Sequence, residues 1–258
     1  YTRTNSYFSN SELASRGLPS EEELKILEPF RKQLPPEVFT KEYQAPKTDG
    51  SGKIRKNLRK AVKLLKEAGW VIKDKKLVNA KTGKPFEFEI IIAQPMFERI
   101  ILPFTKNLEK LGIKVKLRTV DVPQYIRRME SFDFDMVVGS FGQSQSPGNE
   151  QRNYWGSQYA TIEGSRNYIG IQDPVVDQLV DLLINAPSRK DLITRTRALD
   201  RVLLWNHYVI PQYHISAYRL AYWNKFSKPK VTPKYNIGLM SWWFDLDKAK
   251  ALEDKSAD

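Results

Sequence analysis

The spacing of apolar and polar positions in the middle of the chain predicts alternating strands and helices. The segment "PFEFEIIIAQ" alternates and then becomes wholly apolar, as in a strand that enters the interior of a sheet. The next segment, "ERIILPFTKNLEKLG", carries apolar residues at helical spacing and ends at Gly112. In "IKVKLRTV" the apolar and basic residues alternate again. We therefore expect a β-α-β unit with a right-handed crossover.

A third strand is expected to join the same sheet. A short helix around "VPQYIRRME" leads to the apolar residues Met136 to Val138. Strands near residues 86–93, 113–120 and 135–138 would then form one layer, with helices packed against it. The sequence therefore predicts the α/β fold class.

The third strand runs into a segment with an unusual composition. Residues 139–149, "GSFGQSQSPGN", contain no charged side chain, although 28% of the chain is charged. Gly and Pro allow sharp turns and close approach, while Gln, Ser and Asn supply neutral donors and acceptors. Ligands of open α/β sheets tend to bind at the carboxyl ends of the strands. We therefore expect a ligand-facing loop, with an ordinary solvated loop as the alternative.

The net charge of +12 suggests nucleic-acid binding, but the most basic segment indicates otherwise. In "KIRKNLRKAVKLLKEAG" the apolar residues occupy one side of a helix and the Lys and Arg residues the other. No aromatic residue interleaves the basic positions, as a stacking platform would require. We interpret the segment as the solvated face of a core-facing helix and expect no nucleic-acid partner.

No catalytic or metal-binding pattern stands out. The chain has no Cys and only two histidines, His207 and His214, without a nearby acidic or histidine pattern. The segment "GSGK" lacks the features of a phosphate-binding loop, and "GQSQS" those of a nucleophile elbow. Asp133 and Asp135 lie on one face of a strand and are interpreted as structural. We expect no cofactor and no metal. An enzyme or processed enzyme domain that acts on a peptide-like substrate in a crevice at the ligand-facing loop remains an alternative.

The length of 258 residues and 41% hydrophobic content suffice for one large domain or two small ones. No apolar run has the length of a transmembrane helix, and the first residues lack the apolar core of a signal peptide. If the protein is exported, its signal lies outside this sequence. The absence of Cys does not decide the compartment.

Several ordered segments carry a family resemblance. "YTRTNSYFSNSELASRGLPSEEELKILEPFRKQLPPEVF", "AVKLLKEAGW", "LEKLGIKVKLRTVDVPQY", "FDFDMVVGSF" and "RALDRVLLWNHYVIPQYH" follow one another here. The chain resembles the extracellular solute-binding proteins of peptide ABC importers, in the oligopeptide and dipeptide class. Within that class it looks most similar to the branch linked to uptake of oligopeptides and of the peptide-nucleotide antibiotic microcin C.

The resemblance implies an architecture, partners and a location. It implies a lobe of the type II periplasmic-binding-protein class, with a mixed sheet flanked by helices. Residues 1–223 would form the C-terminal ligand-binding lobe, and residues 224–258 would return towards an N-terminal lobe absent from this sequence. The implied partners are an oligopeptide ligand, the membrane permease of the transporter and that N-terminal lobe. The implied location is the periplasm.

The resemblance also assigns a role to the uncharged loop. Dipeptide-binding relatives have a loop of the form G-W-x-G-D-x-x-D-P, whose first aspartate holds the α-ammonium group of the peptide. In this chain Ser140 replaces the Trp and Gln143 replaces that aspartate. A neutral amide cannot form the charge-assisted bond that a carboxylate gives an ammonium. The amine is then held elsewhere, is blocked, or lies further along the cleft.

We expect the ligand to contact the loop and the residues after it through backbone polar groups and aromatic faces. The predicted ligand-contacting residues are Ser140, Phe141, Gln143, Ser144, Gln145, Asn149, Tyr154 and Trp155. Arg99, at the end of a neighbouring strand, is expected to pair with a peptide carboxylate. The alternatives are a solvated Arg99 and a core-packing role for Tyr154 and Trp155.

Overall fold

The chain folds into a parallel sheet layer and a helical layer. The computed structural model describes residues 2–215, 217–234 and 236–254. The helices are α1 (Glu21–Leu27), α2 (Glu37–Thr40), α3 (Arg55–Glu67), α4 (Glu98–Glu109), α5 (Val122–Glu130), α6 (Glu150–Trp155), α7 (Pro174–Ile184), α8 (Arg189–Trp205) and α9 (Leu246–Asp254). The strands are β1 (Thr2–Arg3), β2 (Trp70–Lys73), β3 (Lys76–Asn79), β4 (Glu87–Ile92), β5 (Lys114–Thr119), β6 (Met136–Val137), β7 (Tyr213–His214), β8 (Phe226–Ser227) and β9 (Trp243–Phe244). Single 3-10 turns lie at Glu28–Phe30, Pro95–Phe97, Ser157–Tyr159 and Leu239–Ser241.

The main sheet has the strand order β5-β4-β6, and all three strands run parallel. The expectation that the segments near residues 86–93, 113–120 and 135–138 share one sheet is therefore confirmed. Strands β2 and β3 form an antiparallel hairpin. This hairpin reaches the start of β4 through a bridge between Val78 and Pro85. The antiparallel component of the expected mixed sheet comes from this hairpin, not from the three main strands.

Side chains of β4 alternate between the two faces of the sheet. Ile90 and Ile92 pack on one face against Ile101 of α4. On the opposite face, Glu89 pairs with Arg128 of α5. Helix α4 connects β4 to β5, whereas α5 connects β5 back across β4 to β6. Two crossovers of the same hand that run in opposite directions place their helices on opposite faces of the sheet, as observed.

The helical layer holds the largest core of the described residues. Side chains from α1, α2, α6, α7 and α8 meet there, and among them Leu179, Leu183 and Leu199 are fully buried. The side chain of Asp173 caps α7 by accepting a hydrogen bond from the Val175 N–H, as its sequence position predicts. Ser188 caps α8 in the same way. These caps fix where the two central helices of the layer begin.

The segment after α8 is mostly irregular and exposed. Strand β8 pairs with β9, and the rings of Phe226 and Phe244 contact each other at 6.2 Å between centroids. The exposed large apolar residues of this segment are Ile210, Tyr213, Ile215, Tyr218, Leu220, Tyr222, Trp223, Val231, Leu239, Met240, Trp243, Phe244 and Leu246.

Among the described helices, none combines the length and the apolar character needed to cross a bilayer.

Candidate functional site

The uncharged loop, residues 139–149, leaves the carboxyl end of β6. Because β6 is parallel to β4, this loop and the segment after β4 emerge at the same edge of the sheet. Arg99 lies in the first turn of α4, on that segment, and its side chain is exposed. Within the described part of the chain Arg99 has no ion-pair partner. The structure therefore brings Arg99 and the loop to one edge, as the topology predicts.

The first half of the loop has a largely unpaired backbone. Residues 140–145 belong to no helix or strand, and within the described chain their N–H groups have no hydrogen-bond partner. The Gly142 carbonyl accepts from the Tyr154 hydroxyl at 3.1 Å, and the Gln145 carbonyl accepts from Arg189. Ser140, Ser144 and Gln145 are exposed. A backbone with free N–H groups of this kind can pair with an extended chain.

An aromatic cluster in the core of the helical layer packs against the loop. The ring of Phe141 lies 4.7 Å from that of Trp155, 5.7 Å from that of Tyr154 and 6.1 Å from that of Tyr7. Trp155 is 0% exposed and Tyr154 4% exposed. Both rings therefore lie in the core of the helical layer, which is the packing alternative that the sequence left open. In this structure both side chains support the loop from the core, and their contact with a ligand stays a prediction.

Gln143 is half-buried and its side chain turns towards α6. Its Oε1 accepts a hydrogen bond from Gln151 Nε2 at 2.7 Å. Gln151 is fully buried, and its own Oε1 accepts from Trp155 Nε1 at 2.8 Å. The Gln143 Nε2 atom is also buried and has no partner among the described residues. The side chain thus keeps one free hydrogen-bonding group.

Two further contacts hold the loop, one at Gln145 and one at Asn149. Arg189, at the start of α8, binds the Glu12 carboxylate as well as the Gln145 carbonyl, so it ties the loop to the N-terminal segment. The exposed Asn149 precedes α6 and accepts from Arg152 Nη1 at 2.9 Å. Asn149 is thus the last residue of the loop, with its side-chain oxygen already engaged.

Sequence reasoning missed Gln151, Arg189 and Tyr7. For Gln151 a local signal existed, because Gln151 and Trp155 are four residues apart on one helix and therefore adjacent on its surface. Tyr7 and Arg189 contact the loop only through the tertiary fold, since both lie more than 40 residues from it in sequence.

The Asp133 and Asp135 pair lies at the opposite, amino end of the strands. Both line a cavity of about 550 Å³. Asp133 pairs with Arg128 at 2.8 Å, and Asp135 accepts from the Glu89 backbone N–H at 2.8 Å. Their carboxylates are thus engaged in structural contacts. Over the described ranges, no cluster of three or more metal-ligating side chains is found.

Comparison with protein families places the chain among binding proteins. The model of the bacterial extracellular solute-binding proteins, family 5 Middle, matches residues 28–162, more than half of the chain.

Three curated relatives match nearly the whole chain. The probable peptide-binding protein YejA of Agrobacterium fabrum is 47% identical over 244 residues, which are 94% of this chain and 40% of the relative. The uncharacterized protein YejA of Escherichia coli is 44% identical over 257 residues, or 99% of this chain and 42% of the relative. The peptidoglycan-binding protein YepA of A. fabrum is 40% identical over 94% of this chain and 40% of the relative. The chain thus spans about two fifths of the length of these relatives.

Solved structures give the fold. The oligopeptide-binding protein AppA of Bacillus subtilis, in complex with a nonapeptide, aligns with a TM-score of 0.56 and 21% identity over 86% of this chain and 45% of AppA. A periplasmic oligopeptide-binding protein of an oligopeptide ABC transporter from Thermotoga maritima, with bound mannohexaose, aligns with a TM-score of 0.53 and 20% identity over 77% of this chain and 35% of that protein. These likenesses confirm the expected α/β lobe of the type II class. The homologues are binding proteins and not enzymes. The chain belongs to the bacterial extracellular solute-binding proteins of family 5.

Proposed function

We propose that the protein is the substrate-binding component of an ABC importer, which captures oligopeptides in the periplasm and delivers them to the membrane permease. The observation that carries this proposal is the unpaired backbone of residues 140–145 at the carboxyl edge of the sheet. A peptide main chain has alternating N–H and C=O groups, and such a loop can pair with them whatever the side chains are. A carrier of varied peptides needs this kind of recognition.

The exposed side chains at the edge fit the same ligand. Ser140, Ser144 and Gln145 supply neutral donors and acceptors, and Arg99 supplies a cation without an ion-pair partner among the described residues. A guanidinium binds a carboxylate through two parallel hydrogen bonds. We assign to Arg99 the role of binding a peptide carboxylate.

We also infer a two-lobe architecture. Residues 1–223 would form the C-terminal lobe, and residues 224–258 would pack against an N-terminal lobe. The relatives are more than twice as long as the matched region, and two lobes need two cores. The exposed aromatic residues after α8 support the packing of residues 224–258 against an N-terminal lobe, since a monomer rarely leaves so many large apolar side chains of one segment exposed. Ligand capture would then occur by closure of the lobes.

Two ligand classes are favoured within this function. The motif resemblance favours oligopeptides and the peptide-nucleotide antibiotic microcin C. The relative named as a peptidoglycan-binding protein favours peptides of the cell wall as a second candidate.

The direct test is titration of the intact, full-length protein with a mixed peptide digest, microcin C and muropeptides. Mass spectrometry of the co-purified molecules identifies the ligand. We expect retained peptides to be recovered intact. Recovery of cleaved products would instead support the enzyme alternative, and retention of none of these ligands would contradict the proposed function.

The backbone mechanism has a separate test. Single N-methylation of a retained peptide removes one N–H donor at a time and leaves the side chains unchanged. We expect at least one methylated position to weaken binding about tenfold, as loss of a backbone hydrogen bond implies. Uniform affinity across the methylated series would rule out recognition through the N–H groups of the peptide main chain.

A further inference from the structure

Three side chains beneath the loop form a hydrogen-bond relay with one possible polarity. Trp155 Nε1 donates to Gln151 Oε1 at 2.8 Å, and Gln151 Nε2 donates to Gln143 Oε1 at 2.7 Å. An indole N–H can only donate, whereas an amide side chain has one donor end and one acceptor end. Trp155 therefore decides which end of Gln151 faces it.

The polarity of Gln143 follows from this constraint. Because Gln151 uses its oxygen for Trp155, it presents its NH2 group to Gln143. Gln143 must then accept this hydrogen bond with its oxygen, so its own NH2 group takes no part in the relay. The second contact of Gln151 agrees, since its Nε2 also lies 3.2 Å from the Glu150 carboxylate, which can only accept. Flipping either amide would set two N–H groups against each other.

The free NH2 group of Gln143 is buried and has no partner among the described residues. A buried donor without an acceptor is unfavourable, so such groups have a partner in most functional states. Gln143 is half-buried and lies between the exposed residues Gly142 and Ser144. The unpaired donor thus lies just beneath the part of the loop that we assign to the ligand.

We propose that Gln143 is a specificity residue that donates a hydrogen bond to an acceptor of the ligand, a peptide carbonyl or carboxylate oxygen, and that Gln151 and Trp155 set this polarity. This inference rests on the proposed function of the loop. It reverses the chemistry of an acidic residue at this position, which would accept from an ammonium. Arg99, at the same edge of the sheet, is also a donor, so this edge suits the acceptor-rich part of a peptide.

The test uses the intact protein and the peptide that wild-type protein retains most strongly from a mixed digest. That peptide is resynthesised with a free or formylated N-terminus and with a free or amidated C-terminus. Calorimetry then compares wild type with Gln143→Glu, Gln143→Met and the control Gln158→Glu. The control adds the same charge to an exposed position in the turn after α6, outside the residues assigned to the ligand.

We expect Gln143→Glu and Gln143→Met to weaken the free-amine and formylated peptides alike, by about five- to tenfold, because both remove the donor. Gln158→Glu should change affinity less than twofold. A loss that disappears with the amidated peptide identifies the acceptor as the C-terminal carboxylate, and a loss that persists identifies a carbonyl. Either outcome supports a donor role.

Two results would overturn the inference while leaving peptide binding intact. One is tighter binding of the free-amine peptide alone by Gln143→Glu, which would place an ammonium at this position. The other is unchanged affinity in both Gln143 variants. If wild-type protein retains no peptide from the digest, the proposed function itself fails.

Gln151 is a positioning residue in this scheme, and it has its own readout. Gln151→Met keeps a similar volume and cuts the relay. We expect the NMR signal of the Trp155 indole proton to shift upfield, and the free-amine and formylated peptides to bind with altered relative affinity because Gln143 can then turn. A purely structural Gln151 would lower the unfolding temperature without changing that ratio.

Discussion

At the scale of single residues, two neighbours on α8 attach the N-terminal segment to the helical layer. Asp200 accepts from the Tyr7 and Ser15 backbone N–H groups, each at 2.9 Å, and from the Ser15 hydroxyl at 2.6 Å. Arg201 pairs with Glu23 and donates to the carbonyls of residues 16, 17 and 18. Both side chains are buried and fully engaged, so each should be sensitive to substitution.

We predict that Arg201→Met destabilises the protein by about 3–5 kcal/mol, because it leaves Glu23 charged and buried without a partner. The double variant Arg201→Met with Glu23→Gln should recover part of this loss. Arg197→Met is the matched control, since Arg197 is half-buried on the same helix and, among the described residues, donates only to the Glu12 carbonyl. Urea titration measures all three variants. A loss below about 1 kcal/mol in Arg201→Met would show that this pair is not needed for stability.

The second prediction concerns pH. Burial raises the pKa of Asp200, against the opposing effect of its hydrogen bonds from Ser15 and Tyr7. The folded state therefore holds this proton more tightly than the unfolded chain. The tighter proton binding stabilises the folded state fully at pH values below the pKa that Asp200 has in the unfolded chain. This stabilisation is lost as the pH rises through the raised pKa of Asp200 in the folded state. Asn cannot titrate, so the stability difference between wild type and Asp200→Asn should shrink with rising pH and then level off. Urea titrations at several pH values check the slope, and a difference that grows with pH would mean that the hydrogen bonds outweigh burial.

At the scale of elements, Gly112 joins α4 to β5 at a point of close contact. Its φ is +79°, and its carbonyl accepts from the Leu77 N–H of β3 at 2.8 Å. A Cβ atom at this position would lie 2.6 Å from the Leu77 nitrogen, nearer than any real Cβ contact. The helix end, the strand and the hairpin therefore meet where only glycine fits.

We predict that Gly112→Ala costs about 1–3 kcal/mol more than Gly83→Ala. Gly83 has a similar φ of +68° but nothing within 4 Å of the added Cβ. The backbone strain is thus common to both variants, and the difference isolates the clash with Leu77. Thermal unfolding gives the comparison. Equal losses would mean that the hairpin moves aside freely.

Local patterns predicted the elements well, because strand alternation and helix periodicity are properties of neighbouring residues. The three strands of the main sheet and the caps at Asp173 and Ser188 follow from such patterns. The burial of Tyr154 and Trp155 could not be predicted in this way, because it depends on Tyr7, far away in the sequence. The pairing of β1 with β7, from opposite ends of the chain, is non-local for the same reason.

At the scale of the whole molecule, positive charge is concentrated on one part of the surface. Between residues 47 and 84 there are 13 Lys and Arg residues against 3 Asp and Glu residues, a net charge of +10 out of the total of +12. All 13 basic residues are exposed. Trp70, within this segment, is partly buried and packs against Phe86 at 4.5 Å between ring centroids. The geometry favours the solvated-face interpretation over a nucleic-acid site.

The last prediction concerns the exposed segment after α8. Trp223 is 73% exposed, Met240 101%, and Trp243 and Phe244 51% each. Under the proposed two-lobe architecture these side chains pack against the N-terminal lobe, because water-exposed aromatic surface of this size is unfavourable. Full-length protein should therefore be monomeric, whereas the 258-residue chain alone should self-associate, and Trp223→Ser with Trp243→Ser should reduce that association. Analytical ultracentrifugation of the three proteins measures this, with Leu18→Ser as a control for an exposed apolar side chain outside this segment. A strictly monomeric 258-residue chain that keeps these side chains exposed would contradict the prediction. Equal quenching of tryptophan fluorescence in the full-length protein and in the 258-residue chain would also contradict it.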